Sequence, residues 1–152
     1  MRLEDKLWIG NSHDVEHGDL SSVDAILNVA CDLRDTVWRD DGLEYVQIGL
    51  IDGPGNEMIV YHAAVLMLVA LHRHGSVLVY CHTGSRAISV AIMYLELTYP
   101  SGTSAPHICG CGWDGWLERV HRILGDGMLA LHDAHRIAFE GINWRLLEAG
   151  IQ

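Results

Sequence analysis

The chain has 152 residues, a length that allows one domain with a full core but not two ordinary domains. Hydrophobic residues make up 49% of it and charged residues 20%, which is typical of a globular rather than a disordered chain. With 20 acidic and 10 basic residues the formal net charge is −10, which argues against a nucleic-acid partner and against docking on an anionic membrane, although one pocket can still be locally positive.

The sequence shows no clear pattern of a membrane span, a secretory signal or a disulfide framework. The apolar run MIVYHAAVLMLVAL at 58–71 is too short for a membrane span, and the amino-terminal MRLEDKLW has the charges but not the apolar core of a secretory signal. The four cysteines do not have the density of a disulfide framework. These features predict a protein of the reducing cytoplasm.

The predicted elements alternate along the chain. Strands are expected at 6–10, 25–30, 43–50 and 76–80, and helices at 57–73, 85–98, 113–124 and 128–149, with a loop at 100–112. Gly75 should end the first of these helices, and DGPG at 52–55 should break the chain before it. The order predicts a single α/β domain over residues 1–152, with a central, mostly parallel sheet flanked by helices.

The segment VLVYCHTGSRAISVAIMYL, from Val77 to Leu95, joins a predicted strand to a predicted helix through a loop in which four residues separate Cys81 from Arg86. A strand that leads directly into a helix gathers backbone N–H groups around one point, where they favour a bound anion. Gly84 permits a backbone conformation that a Cβ would oppose. The same donors stabilise a thiolate, and Arg86 can hold two oxygens of a tetrahedral oxyanion. The loop therefore predicts transfer of an anionic group onto sulfur, since a purely structural cysteine would explain neither Gly84 nor Arg86.

The order of these motifs resembles that of dual-specificity phosphatases, in the cysteine-dependent protein tyrosine phosphatase superfamily. The resemblance runs across residues 7–98 and rests, in order, on LWIGN, VDAILNVA, GLEYVQIGLIDGPGN and GSVLVYCHTGSRAISVAIMYL. It implies a hydrolase with Cys81 as nucleophile, Arg86 as phosphate ligand and Asp52 as general acid. It further implies phosphate binding by the loop residues His82, Thr83, Gly84 and Ser85. The expected partner is a phosphorylated protein or a small phosphate monoester, and neither a metal nor another cofactor is expected, because the loop itself supplies the positive potential.

The loop departs from the pattern of those phosphatases, which is His-Cys, five residues, then Arg followed by Ser or Thr. Here Tyr80 replaces the His, the loop is one residue shorter, and Ala87 follows Arg86. Locally, YCHTGSRA resembles the shorter persulfide loop of rhodanese-type sulfurtransferases, and CGWDGW at 111–116 is similar to a Gly–Trp stretch of those domains. The phosphatase resemblance is preferred because it covers more of the chain and supplies an acid. A sulfurtransferase with a persulfide on Cys81, or an inactive phosphate-binding module, are the alternatives.

The acid has a competing interpretation, because DGPG is also typical of a plain type I or II turn. Asp40, Asp41 and Glu57 are the alternative acids.

Other polar residues near the predicted site also have two interpretations. Asn28 either braces the Cys81 loop from a neighbouring strand or caps a turn. Ser85 either hydrogen-bonds the thiolate or caps the following helix, which is the preferred interpretation. A zinc site is not expected, because its candidate ligands lie at alternate positions of one loop without a second pair. Those candidates are His107, Cys109 and Cys111.

Overall fold

The computed structural model describes residues 2–33, 42–53, 55–98 and 141–150. Its elements, in chain order, are β1 (Arg2–Glu4), β2 (Leu7–Asn11), α1 (Ser12–His17), β3 (Ala25–Ala30), β4 (Glu44–Leu50), α2 (Met58–His74), β5 (Val77–Cys81), α3 (Ser85–Thr98) and α4 (Trp144–Gly150).

Within the described ranges, five strands form one sheet in the order β1-β2-β5-β3-β4. β1 runs antiparallel to β2, and every other neighbouring pair is parallel. β5 lies in the centre, and all of its residues are buried, as its unbroken apolar sequence predicts for a strand covered on both faces. The carboxyl ends of β2, β3, β4 and β5 consequently meet at one edge of the sheet, where parallel α/β sheets place their ligand sites.

The two faces of the sheet have separate apolar clusters. Val77, Val79 and Cys81 belong to the cluster that α2, α3 and α4 cover, whereas Leu78 and Tyr80 belong to the cluster on the side of α1. This division follows from the strand period of two, which sends successive side chains to opposite faces. Cys81 therefore lies on the helix-covered face, and Tyr80 points away from it.

The prediction of an α/β fold with a mostly parallel sheet is confirmed. The strands and helices predicted up to residue 98 are present, with ends displaced by no more than one residue, and Gly75 follows the last residue of α2. The structure adds β1 and α1, which are too short to have a recognisable period. Helix α1 is explained locally by a capping box, in which the Asn11 side chain accepts from the Asp14 N–H and the Asp14 carboxylate accepts from the Asn11 N–H.

The predicted helix at 128–149 is wrong at residues 141–143, which are not helical. The side chain of Asn143 accepts a hydrogen bond from the Leu146 N–H at 3.1 Å, so α4 begins after Asn143. The predicted loop at 100–112, the helix at 113–124 and the start of the last predicted helix lie outside the described residues. None of the helices that the structure describes is long and apolar enough to cross a membrane.

Candidate active site

The candidate site lies at the carboxyl edge of the sheet, where three chain segments follow neighbouring strands. Cys81 ends β5, and Asp32 and Asp52 are each the second residue after the end of a strand, β3 and β4 respectively. Arg86 reaches the same edge from the first turn of α3. The parallel topology alone brings these four residues together, although Asp32 is 54 positions from Arg86 in the sequence.

The nucleophile candidate is buried and already has a backbone donor. Cys81 has none of its surface exposed, and the Gly84 N–H donates to its Sγ at 3.0 Å. Gly84 has a φ of +102°, which is outside the conformations that L residues ordinarily adopt, so the glycine is needed for this backbone geometry. The carbonyl of Gly84 accepts from the Ile88 N–H and so joins the loop to the first turn of α3. The expected loop geometry is therefore present: an amide aimed at sulfur, on a turn that only glycine adopts readily.

Arg86 is the one charged side chain among the buried residues that the structure describes, and it is 1% exposed. Its Nη1 donates to Asp32 Oδ1 and to the Leu50 carbonyl, both at 2.7 Å. Burial by itself disfavours the cation, but the hydrogen bond to Asp32 and the negative groups of Cys81 and Asp52 outweigh it and raise the pKa of Arg86 above its ordinary value. The guanidinium is therefore a permanent positive charge inside the site.

The Nε–H group of Arg86 takes no part in the bonds to Asp32 and Leu50. Its Nε–H is buried and makes no hydrogen bond to any residue in the described part of the chain. A buried guanidinium N–H is costly to leave unpaired, so an orphan donor of this kind indicates a place where a ligand oxygen completes the bonding.

Tyr80 and Ala87, the two substitutions in the loop motif, are both accommodated by packing. Tyr80 is fully buried, and its hydroxyl lies 3.3 Å from that of Tyr45, which in turn accepts from Asn28 Nδ2 at 2.9 Å. Ala87 is also fully buried. With no hydroxyl at Ala87, the sulfur contact that the structure provides is the backbone amide of Gly84.

The Asp52 carboxylate is exposed and lies close enough to Arg86 to contribute to the raised pKa of that guanidinium. Asp52 therefore shares the edge of the sheet with Cys81 and Arg86, as the resemblance implies. Of the alternative acids, Glu57 precedes the first residue of α2 and makes no capping hydrogen bond with its side chain. Asp40 and Asp41 lie outside the described residues.

The turn that carries Asp52 is held by a residue that the sequence did not single out. Asn56 accepts from the Ile51 N–H at 2.7 Å and donates to the Ile51 carbonyl at 2.8 Å. Longer contacts join its amide to the Gly53 carbonyl at 3.3 Å and to the buried Tyr61 hydroxyl at 3.4 Å. Burial raises the pKa of Tyr61, which keeps its hydroxyl neutral. The asparagine at the end of DGPGN was the available signal, since Asn side chains commonly hydrogen-bond nearby backbone in turns.

The predicted phosphate-binding residues form one continuous loop. His82 and Thr83 are exposed, whereas Gly84 and Ser85 are buried. The His82 carbonyl accepts from the Ser12 N–H at 3.4 Å, which links the loop to the start of α1. Ser85 Oγ lies 3.5 Å from Thr83 Oγ1, and Gly84 rather than Ser85 occupies the position before the first helical residue, so the preferred N-cap interpretation of Ser85 is wrong.

Asn28 does not brace the Cys81 loop. Its Oδ1 accepts from the Ala30 N–H at 2.9 Å, and its Nδ2 donates to the Leu33 carbonyl and to Tyr45. It therefore stabilises the turn after β3, which is the turn that carries Asp32. The CGWDGW stretch lies outside the described residues, as do the three residues considered and rejected as zinc ligands, His107, Cys109 and Cys111.

The site and the sheet together define a fold class: this chain has the fold of the dual-specificity and tyrosine phosphatases. Among the solved structures that it resembles, DUSP15 has a TM-score of 0.73 at 17% sequence identity, with 99% of this chain and 91% of that one covered. P. aeruginosa TpbA gives 0.68 at 15% identity over 99% and 88% of the two chains. OH1 from the Orf virus, a tyrosine phosphatase with triple substrate specificity, gives 0.67 at 17% identity over 91% and 83%. Neither a protein-family model nor a curated protein sequence matches this chain.

Proposed function

We propose that this protein is a cysteine-dependent phosphatase that hydrolyses phosphotyrosine-like or aryl phosphate monoesters through a phosphocysteine intermediate. The observation that carries the proposal is the buried Nε–H of Arg86, which has no hydrogen-bond partner in the described part of the chain. The same guanidinium interacts electrostatically with Cys81, whose sulfur already accepts a backbone N–H. A phosphoryl group suits this arrangement, because its oxygens accept from both the guanidinium and the loop amides while its phosphorus meets the sulfur.

The first step is an in-line attack by the Cys81 thiolate on phosphorus. A sulfur–phosphorus bond forms as the bond from phosphorus to the ester oxygen breaks, and Asp52 gives a proton to the departing oxygen. Arg86 and the N–H groups from His82 to Arg86 hold the three equatorial oxygens, over which the charge of the transferring phosphoryl group is spread.

The second step regenerates the enzyme. Asp52, now a carboxylate, takes a proton from water, the hydroxyl oxygen bonds to phosphorus, and the Cys81 sulfur leaves with the electron pair of the broken bond. The products are inorganic phosphate and the free thiolate. The exposure of Asp52 favours this second role, because water reaches its carboxylate directly.

Hydrolysis of p-nitrophenyl phosphate tests the proposal. The wild-type protein should release p-nitrophenol, and Cys81→Ser should abolish turnover while phosphate or vanadate binding stays measurable, since a serine hydroxyl is far less ionised than a thiol. A serine variant that keeps activity within about tenfold would exclude covalent catalysis by the cysteine.

The acid role is tested by leaving-group dependence. Asp52→Asn should slow an alkyl or tyrosyl phosphate by about 10²–10⁴, the usual contribution of a positioned proton donor, and should slow a p-nitrophenyl ester less in the first step. If the variant matches the wild type on every ester, DGPG is only a turn and Asp40, Asp41 and Glu57 become the candidates.

A sulfurtransferase remains the second candidate because the loop has only four residues between Cys81 and Arg86. In that reaction the thiolate takes a sulfur atom from thiosulfate, releases sulfite and passes the sulfur to cyanide. Thiocyanate formation without phosphatase activity would favour this function. Anion binding with neither activity would favour an inactive phosphate-binding module.

A further inference from the structure

The contact between Asp32 and Arg86 has a role that the sequence did not indicate. Asp32 Oδ1 and the Leu50 carbonyl both accept from the same nitrogen, Nη1, each at 2.7 Å. These acceptors follow or end different strands, β3 and β4, so the two strands fix this nitrogen from two directions. Because the guanidinium is planar and rigid, fixing Nη1 in this way sets the plane of the whole group.

The orientation of that plane matters for the site. Nη1 lies on the side of the guanidinium away from the Nε–H bond, so holding Nη1 at the strand ends leaves the Nε–H edge facing elsewhere. Nε–H is the buried donor without a partner in the described ranges, and Cys81 interacts electrostatically with the same guanidinium. The edge left available is the one suited to hold two oxygens of a tetrahedral anion.

Asp32 does more than neutralise a buried charge. Its side chain is 55% exposed, whereas that of Arg86 is 1% exposed, so the pair is not jointly buried. The Leu50 carbonyl already accepts from Nη1, and a lone neutral acceptor would leave the group free to rotate about that bond. The hydrogen bond from Arg86 lowers the pKa of Asp32, and nearby His82 adds to the effect, so Asp32 is a carboxylate under working conditions.

We infer that Asp32 is a positioning residue that acts through Arg86, holding Nη1 so that the Nε–H edge faces the Cys81 loop and sets how tightly the loop binds a tetrahedral oxyanion. The inference rests on the proposed function for the identity of that anion as a phosphoryl group. Its essential element is an acceptor at position 32, and the negative charge of that acceptor is secondary.

Two substitutions distinguish the effect of the hydrogen-bond acceptor at position 32 from the effect of its negative charge. Asp32→Ala removes both, whereas Asp32→Asn keeps an oxygen that can accept from Nη1. The matched control is Asp5→Asn, which makes the same change of net charge in an exposed ion pair with Arg2, in the turn between β1 and β2. Thermal melting establishes that each variant is folded.

The first measurement is calorimetric binding of tungstate to each variant in a Cys81→Ser background, which needs no turnover. Asp32→Ala should weaken binding by about tenfold or more, while Asp32→Asn should stay within about threefold of the parent and the control should not change. In the wild-type background, Asp32→Ala should lower kcat for p-nitrophenyl phosphate more than it raises KM, because Arg86 contributes most when charge develops in the transition state.

The outcomes distinguish this inference from the proposed function. Tungstate binding that depends on Asp32 in a protein without phosphatase activity would overturn the function but support the positioning role. Equal binding by Asp32→Ala and its parent would overturn the positioning role, as would equal losses in the Ala and Asn variants, tighter binding by Asp32→Ala, or no tungstate binding by the parent.

Discussion

Replacing Gly84 by alanine tests whether the backbone of the Cys81 loop is the device that holds the sulfur. The residue combines a φ of +102° with an N–H that donates to Cys81 Sγ at 3.0 Å. An added Cβ would meet nothing nearer than the Gly10 carbonyl oxygen at 3.8 Å, which is ordinary contact. The cost of Gly84→Ala is therefore conformational and not a clash.

That cost can be estimated from the dihedral. A non-glycine residue held in a sparsely populated region costs about 1–3 kcal/mol, and a φ well beyond the usual left-handed range belongs toward the upper end. If the loop keeps its shape, the free energy of unfolding of the variant falls by that amount and the N–H of residue 84 still donates to Cys81 Sγ. If the peptide rotates to relieve the strain, stability is largely retained, but the Gly84 N–H no longer reaches Sγ.

Two assays separate these results. Urea unfolding gives the change in stability, and the rate of Cys81 alkylation by iodoacetamide as a function of pH reports how well the loop stabilises the thiolate. Gly42→Ala is the matched control, because Gly42 has a φ of +78° with open space around it and precedes β4 at the opposite edge of the sheet. Unchanged stability together with an unchanged alkylation profile in Gly84→Ala would refute the reasoning.

Three other perturbations address the surroundings of the site. Asn56→Ala removes the two short hydrogen bonds that fix the turn carrying Asp52, each worth about 1 kcal/mol. The kcat for an unactivated ester should therefore fall by about tenfold, whereas a purely structural role of Asn56 would leave kcat unchanged. Burial lowers the pKa of His62, whose Nε2 accepts from the Asn143 N–H. The free energy of unfolding should therefore be highest above the unfolded pKa of about 6.5 and should decrease as the pH falls below it, by at most about 1.4 kcal/mol per pH unit. His62→Gln should flatten that part of the profile of unfolding free energy against pH. One glycine inserted before Ser85 lengthens the loop by up to about 3.5 Å and adds an N–H donor, so phosphate inhibition should tighten with activity kept or raised, and weaker inhibition would mean that the loop is already closed to its best size.

The parts of the fold that were predictable are those with local causes. The apolar run of β5 and the glycine before α3 gave the strand, loop and helix to within a residue, because periodicity and left-handed backbone are properties of short segments. The Asp32–Arg86 bond has no such local cause, since it depends on the register of β3 against β5 and on the turn after β3. A carboxylate two residues after the end of a buried strand was a signal, but its partner could be named only once the strand order was known. The non-helical residues 141–143 were not predicted, because one side-chain hydrogen bond, from the Leu146 N–H to Asn143, marks the start of α4 in a segment whose sequence is otherwise compatible with a helix.

The short loop and the order of the chain favour different chemistries, and Asp52, the proposed general acid, distinguishes them. A persulfide carrier takes sulfur from an anionic donor and passes it to an anionic or thiolate acceptor, so it gains nothing from a proton donor aimed at a leaving oxygen. In this protein Asp52 lies on a turn in which the Asn56 side chain bonds both the N–H and the carbonyl of Ile51. Asp52 also interacts electrostatically with Arg86. A braced carboxyl group beside the Cys81 loop is useful for phosphate ester hydrolysis and has no use in sulfur transfer, so the surroundings of the loop argue for the phosphatase more strongly than its length argues against it.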